Sequence, residues 1–126
     1  MMEKNNASTQ QDLQRETCST YDLAEVEPEE MVAIAFETLG RYPLHGERVV
    51  LSKGEKISWY FYCGSSAEQS RQFKPVHVAH LADVLPEVVR FLRMPPGSGF
   101  MIDSAGHEEI WVERDGGIEV MKIERE

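Results

Sequence analysis

Cysteine is scarce in this chain of 126 residues: Cys18 and Cys63 are the only two, and they stand 45 positions apart. There is no C-x-x-C pair and no dense cysteine spacing, so neither a disulfide framework nor a zinc ribbon is encoded. Two reduced thiols in a cytoplasmic protein are the expectation. Long apolar runs are missing as well. No stretch reaches the ~18 apolar residues that a membrane span needs, and the first twenty residues hold no apolar signal-peptide core, so neither membrane insertion nor secretion through a signal peptide is expected. Basic residues are outnumbered, 13 to 22, for a formal net charge of −9. Binding of nucleic acid or anionic lipid depends on a positive field, and this balance argues against both. Phosphate-loop glycine spacing is also absent from PPGSG and RDGG.

The charge is uneven. Residues 1–30 carry −6, residues 31–102 carry +2 and residues 103–126 carry −5. Acidity at both ends would attract a basic partner. A chain of this length fits one domain and a tail, and such a domain buries roughly two-thirds of the surface its unfolded chain exposes. A hydrophobic core suffices without metal or disulfides.

Residues 1–20 are rich in Asn, Gln, Ser, Thr and Glu. With so little apolar surface they read as a flexible polar leader, followed by a single domain over 21–126. PEEMVAIAFETLG (28–40) opens with proline and acids and ends in Gly40, which suits a helix, although its continuous apolar run equally fits a buried strand. RYPLHGE is expected as a loop and residues 49–51 as a short strand. ISWYFYCG (57–64) has the aromatic and β-branched content of a central strand. SSAEQSRQ is a polar connection and FKPVH (73–77) an extended segment. HLADVLPEVVRFL is helical and divided by Pro86, whose ring cannot continue a helix. After the MPPGSG turn, residues 100–103 form a strand. Residues 110–113 and 118–124 then form a hairpin about Asp115-Gly116. Helix, strands, helices and strands in that order predict an α+β fold: a mostly antiparallel sheet of about four to five strands with two to three short helices packed on one face.

Several residues invite chemistry. His77 and His80 stand three apart, with Cys63 and His107 as further candidate ligands, but no second close-spaced pair completes a zinc site. The alternative is that one histidine caps or packs at a strand-to-helix junction and the other faces solvent. Cys63, His77 and Asp103 would make a nucleophile, base and acid if the fold gathered them. Cys63 ends an aromatic strand, however, where a cysteine is a small core residue. Asp103, Glu108, Glu109 and Glu113 surround Trp111. Parity along a strand puts 109, 111 and 113 on one side, and a tryptophan rimmed by charge is a common composition for a binding hot spot. Acids on a hairpin are also commonly a solvated face, and a Trp between Ile110 and Val112 can be core.

From Trp59 to Glu113 the order of WYFYCG, FKPVHVAHL, LPEVVRFL, MPPGSGFMID and HEEIW resembles the thirty-third immunity-protein family of bacterial polymorphic toxin systems. The resemblance covers under half of the chain, leaving out the leader and residues 28–56. It implies an α+β partner protein in the cytoplasm that binds a cognate toxin domain and occludes it. No catalytic residue, cofactor or metal is then needed, and a basic toxin surface would suit the acidic ends. His77, His80, Pro95, Pro96 and Gly97 would define the fold. Asp103, Glu108, Glu109, Trp111 and Glu113 would form the contact face. The competing expectations are a general interaction or regulatory module without a toxin partner, and a small hydrolase or metal enzyme built on Cys63, His77 and His80.

Overall fold

The computed structural model describes residues 6–64 and 72–123; the side chains of 6–9 and 122–123 lie outside what it describes. Most of the polar connection expected at 65–72 therefore falls outside the described residues. A helix α1 (Asn6–Thr20) leads into β1 (Met31–Ile34), β2 (Leu44–Arg48), β3 (Trp59–Cys63) and β4 (Lys74–His77). Then come α2 (Val78–Val84), a 3-10 helix over Pro86–Phe91, and strands β5 (Ser98–Ile102), β6 (Glu108–Arg114) and β7 (Gly117–Ile123). A second, single-turn 3-10 segment, Phe36–Thr38, follows β1.

The strands make one mixed sheet in the order β4-β1-β3-β2-β5-β6-β7. Its β1–β3 pairing is parallel and its other five are antiparallel. The α+β class and the mostly antiparallel pairing agree with the sequence. Four to five strands, however, is too few for a sheet of seven. The undercount has two sources. Residues 31–34 take the strand alternative instead of the helix, because β1 is buried between β3 and β4 and its run is apolar throughout. RYPLHGE also holds a strand where a loop was expected. The inward positions of β2 are Leu44, Gly46 and Arg48, a set that carries no hydrophobic alternation. Gly46 belongs there because the Phe100 ring fills its place: a Cβ would lie 2.1 Å from Cε2 of that ring. Residues 49–51, expected as a strand, are not one.

One face of the sheet is covered. Trp59, Phe61, Phe100, Ile110 and Val112 meet Leu81, Leu85, Val88, Phe91 and Leu92 from the helical layer in one core. Phe91 stacks on Phe100 at 3.9 Å between ring centres. Pro86 does divide the helical stretch, as expected from its missing N–H. The leader differs from its expectation, since Asn6–Thr20 is helical and packs on the 3-10 helix. Its buried stripe is Gln14, Thr17 and Cys18, continued by Tyr21 just past its end, at spacings of three, four and seven, and half of these side chains are polar. Gln14 stays satisfied by donating to the Val89 carbonyl at 3.0 Å and accepting from Arg93 Nε at 3.1 Å. A stripe half of whose side chains are polar leaves little apolar periodicity to see.

Two arginines, Arg48 and Arg90, bind the layers. Arg48, 1 % exposed, donates to the carbonyls of Val26, Glu27, Leu92 and Met94, to Ser58 Oγ and to Glu29 Oε2. It thus ties the strap before β1 and the turn before β5 to the sheet. Arg90 grips Glu108 through both of its terminal nitrogens, at 2.6 and 3.3 Å. Tyr21, at the end of α1, donates its hydroxyl to the same carboxylate at 2.5 Å.

Candidate functional site

Side chains alternate across a strand, so each strand that buries one set turns the other away. On the face opposite the helices, β3 presents Tyr60 and Tyr62, β2 His45 and Glu47, β5 Met101, and β6 Glu109, Trp111 and Glu113. The register joins them into two rows. One runs Tyr60, Glu47, Gly99, Trp111, Val120, and the other Tyr62, His45, Met101, Glu109. His45 stacks on Tyr62 at 4.6 Å, and Phe73 meets Tyr60 edge-on at 5.3 Å. Glu47, Val49, Tyr60, Tyr62 and Phe73 enclose a depression of ≈ 350 Å³. Further along, Ile118 and Val120 on β7 are 61 % and 50 % exposed, well above the usual state of such side chains in a sheet. An aromatic and aliphatic face of this kind, interrupted by carboxylates, has the make-up of a protein-contact surface.

The expected contact residues divide between the two faces. Glu109, Trp111 and Glu113 share the face left uncovered by the described helices, as their parity requires. The Trp111 ring is half-buried because it lies over Gly99. A Cβ at Gly99 would fall 2.3 Å from Trp111 Cζ2 and 2.7 Å from the Gly46 carbonyl oxygen. Glu108 has the other parity and points into the core, 3 % exposed, where Arg90 and Tyr21 hold it. Such a carboxylate is not placed to meet a partner. Asp103 lies in the loop after β5, half-buried and away from both rows. Its carboxylate accepts the backbone N–H groups of Ala105 and His107, each at 2.9 Å, and stands 3.1 Å from His107 Nδ1. Desolvation of its carboxyl raises its pKa, but those donors and the His107 charge together outweigh it and hold the pKa below the ordinary value.

The fold does not assemble the alternative chemistries. Cys63 lies beyond the level of Ile34 on β1, whereas His77 pairs with Met31 at the other end of that strand. Burial pushes the Cys63 thiol pKa up, and burial with the nearby Glu25 carboxylate pushes that of Cys18 to about 11, so both are poor thiolates. Both are free and buried. His77 precedes α2 without a side-chain capping hydrogen bond, and both His77 and His80 are exposed, their rings edge-on at 6.3 Å. The expected division into one histidine that caps or packs at the junction and one that faces solvent is replaced by two exposed rings. Among the described residues, no three His, Cys, Asp or Glu side chains gather as a metal-ligand group.

Glu47, Tyr60, Tyr62 and Phe73 were not among the expected contact residues. Alternation along WYFYC, with Trp59, Phe61 and Cys63 inward, would have placed both tyrosines outward. Glu47 had no such signal once its segment was taken for a loop. The turn residues Pro95, Pro96 and Gly97 do shape the start of β5: the Gly97 N–H donates to the Arg48 carbonyl at 2.7 Å and Ser98 Oγ to the Pro95 carbonyl at 2.6 Å.

No described helix is long and apolar enough to cross a membrane. The family model described as the Imm33-like domain matches residues 13–113. That span takes in residues 28–56 and the end of α1, well beyond the part of the chain where the resemblance was legible. No curated protein and no solved structure matches the chain.

Proposed function

This chain belongs to the Imm33-like domain family, and from that premise we propose that it is a bacterial immunity protein, one that binds a cognate toxin domain in the cytoplasm and neutralises it by covering it. The observation that carries this reading is the sheet face that none of the described helices covers. Tyr60, Tyr62, Phe73 and Trp111 offer rigid aromatic area, while Glu47, Glu109 and Glu113 supply negative charge around it. Inhibition by cover and charge complementarity asks for shape and field, not for a reacting group. On this reading the chain has no catalytic residue and no cofactor, and its partner is a basic protein surface, not nucleic acid or membrane. Glu109, Trp111 and Glu113 are contact residues. Glu108 supports them from beneath the sheet, and Asp103 orders the loop that leads into β6.

Coexpression tests the proposal. A candidate toxin domain, sought as the C-terminal domain of a large secreted protein encoded near this chain, is expressed in a sensitive host with and without it. Restored growth, together with a stable complex of the two purified proteins, is the expected result. Persistent toxicity in the presence of folded chain would refute it.

A further inference from the structure

Glu47 stands at the centre of the uncovered face, with Tyr60 directly opposite on β3 and Gly99 directly opposite on β5. Residues paired in this way have Cβ positions about 5 Å apart. Gly99 contributes no side chain, and the ring of Trp111 occupies the vacant space, with Cζ2 and Cε2 at 2.3 and 2.5 Å from where a Cβ would be. The Glu47 side chain is therefore flanked by a phenol ring on one side and an indole on the other. Behind Tyr60, Phe73 and Tyr62 close the depression of ≈ 350 Å³ that Glu47 borders. The Glu47 side chain is exposed, and among the described residues it has no hydrogen-bond or ion-pair partner. The acids of the core differ: Glu29 and Glu108 each hold an arginine.

We propose that Glu47, Tyr60 and Trp111 form a receptor for an arginine side chain presented by the partner protein. The guanidinium donates to the Glu47 carboxylate and lies against the two rings. Its planar, delocalised and weakly hydrated cation suits a slot with aromatic walls and a carboxylate floor. The compact, strongly hydrated ammonium of lysine suits it less well. The chain's net charge of −9 favours approach of a basic partner. Phe73, edge-on to both Tyr60 and Tyr62, backs Tyr60, and Gly99 is the position that lets the indole reach Glu47. The assignment deepens the immunity reading and rests on it for the partner's identity, though not for the chemistry of the slot.

Two measurements on the full chain test the site. In the first, the peptide acetyl-Gly-Arg-Gly-amide is titrated while the indole N–H signals of Trp59 and Trp111 are followed by NMR. The Trp111 signal shifts and that of buried Trp59 does not. The response is lost in Glu47→Gln, kept in Glu16→Gln on the exposed side of α1, and several-fold weaker with the lysine peptide. A Trp111 signal that stays still, or that moves equally in Glu47→Gln, overturns the slot. In the second, binding to the toxin domain identified by coexpression is compared for Glu47→Lys and Glu16→Lys, which change charge equally on opposite faces. At least about tenfold weaker binding is expected for Glu47→Lys only, the loss that removing one anchor of a hot spot produces. Undiminished binding by a folded Glu47→Lys chain overturns the receptor and leaves immunity standing. If the unaltered chain neither binds nor protects, immunity falls, and the peptide titration alone decides the slot.

Discussion

Replacing Arg48 by methionine tests whether one buried side chain holds the layers together. Methionine keeps much of the stem's volume and removes every donor. The consequences differ from acceptor to acceptor. The Leu92 carbonyl keeps Trp59 Nε1 at 3.0 Å, so it stays satisfied. The Val26 and Glu27 carbonyls are only partly buried and can take water. The Met94 carbonyl, held by Arg48 at 2.7 Å in the interior, loses the side-chain donor it has among the described residues, which costs about 1–3 kcal/mol. Glu29 loses its cation but keeps the Ser58 hydroxyl, and a part-exposed carboxylate in that position forfeits about another 1 kcal/mol. Loosening of the strap before β1 adds to both, so a total of about 3–4 kcal/mol follows from the geometry. A domain of this size has about 5–15 kcal/mol of stability in all. The assay is urea unfolding followed by Trp59 fluorescence, with an expected fall in midpoint of about 1.5–2 M at an ordinary urea slope near 2 kcal/mol/M. A loss under about 1 kcal/mol with an unchanged slope would refute the reasoning. It would show that water replaces the guanidinium, and that Arg48 merely fills space.

Three further outcomes are expected. Glu108→Gln leaves Arg90 without its counter-charge and weakens the Tyr21 bond; because Arg90 is 29 % exposed, the loss is about 2 kcal/mol, below the full cost of breaking a buried pair, and thermal unfolding reads it. Gly99→Ala forces the Trp111 ring away and presses on the Gly46 carbonyl, so about 1–3 kcal/mol of stability goes and Trp111 emission shifts toward that of a solvated indole. Lowering the pH destabilises the fold. Burial raises the Glu29 pKa, but the Ser58 hydroxyl and the Arg48 charge outweigh it and hold the folded value below the ordinary 4.5, and Asp103 is depressed likewise. Groups with depressed folded values favour folding above their unfolded values and lose that contribution as pH falls through the folded ones. Stability should therefore decline steadily below about pH 4.5, and Glu29→Gln should flatten the decline.

The legible parts of the fold were those in which an apolar pattern coincides with its local geometry. WYFYC alternates cleanly, Pro86 breaks the helical stretch, and Asp115-Gly116 closes a hairpin whose two strands are each seven residues long. The hidden parts were built from long-range substitutions of one residue for another. Phe100 fills in for a missing side chain at Gly46, so β2 shows no apolar rhythm. Val89 and Arg93 satisfy Gln14, so α1 can bury a partly polar stripe. Neither exchange is visible within a window of neighbouring residues, because the partner lies 75 positions away in one case and on another strand in the other. The candidate site behaved in the same way. Parity found Glu109, Trp111 and Glu113, but it could not show that Trp111 leans over Gly99 toward Glu47.

The acidity of the chain also changes meaning once the fold is known. By composition alone it is concentrated at the two ends, which suggests two acidic tails acting on a partner. Two of those acids are consumed internally, Glu29 by Arg48 and Glu108 by Arg90. Each arginine comes from the middle segment, whose slight excess of base is thereby spent inside the protein. The face opposite the helices carries Glu109 and Glu113 from the acidic end, flanking Trp111 along β6, and Glu47 from the middle segment. The two glycines make that separation possible. At Gly46 an aromatic ring drops inward to finish the core, and at the neighbouring Gly99 another lies outward across the sheet. A small sheet can thus complete its core with Phe100 and still expose Trp111, keeping the side that holds the protein together independent of the side available for binding. A substitution at Glu47 should accordingly change binding with little change in stability, whereas one at Glu108, on the next strand but one, should do the reverse.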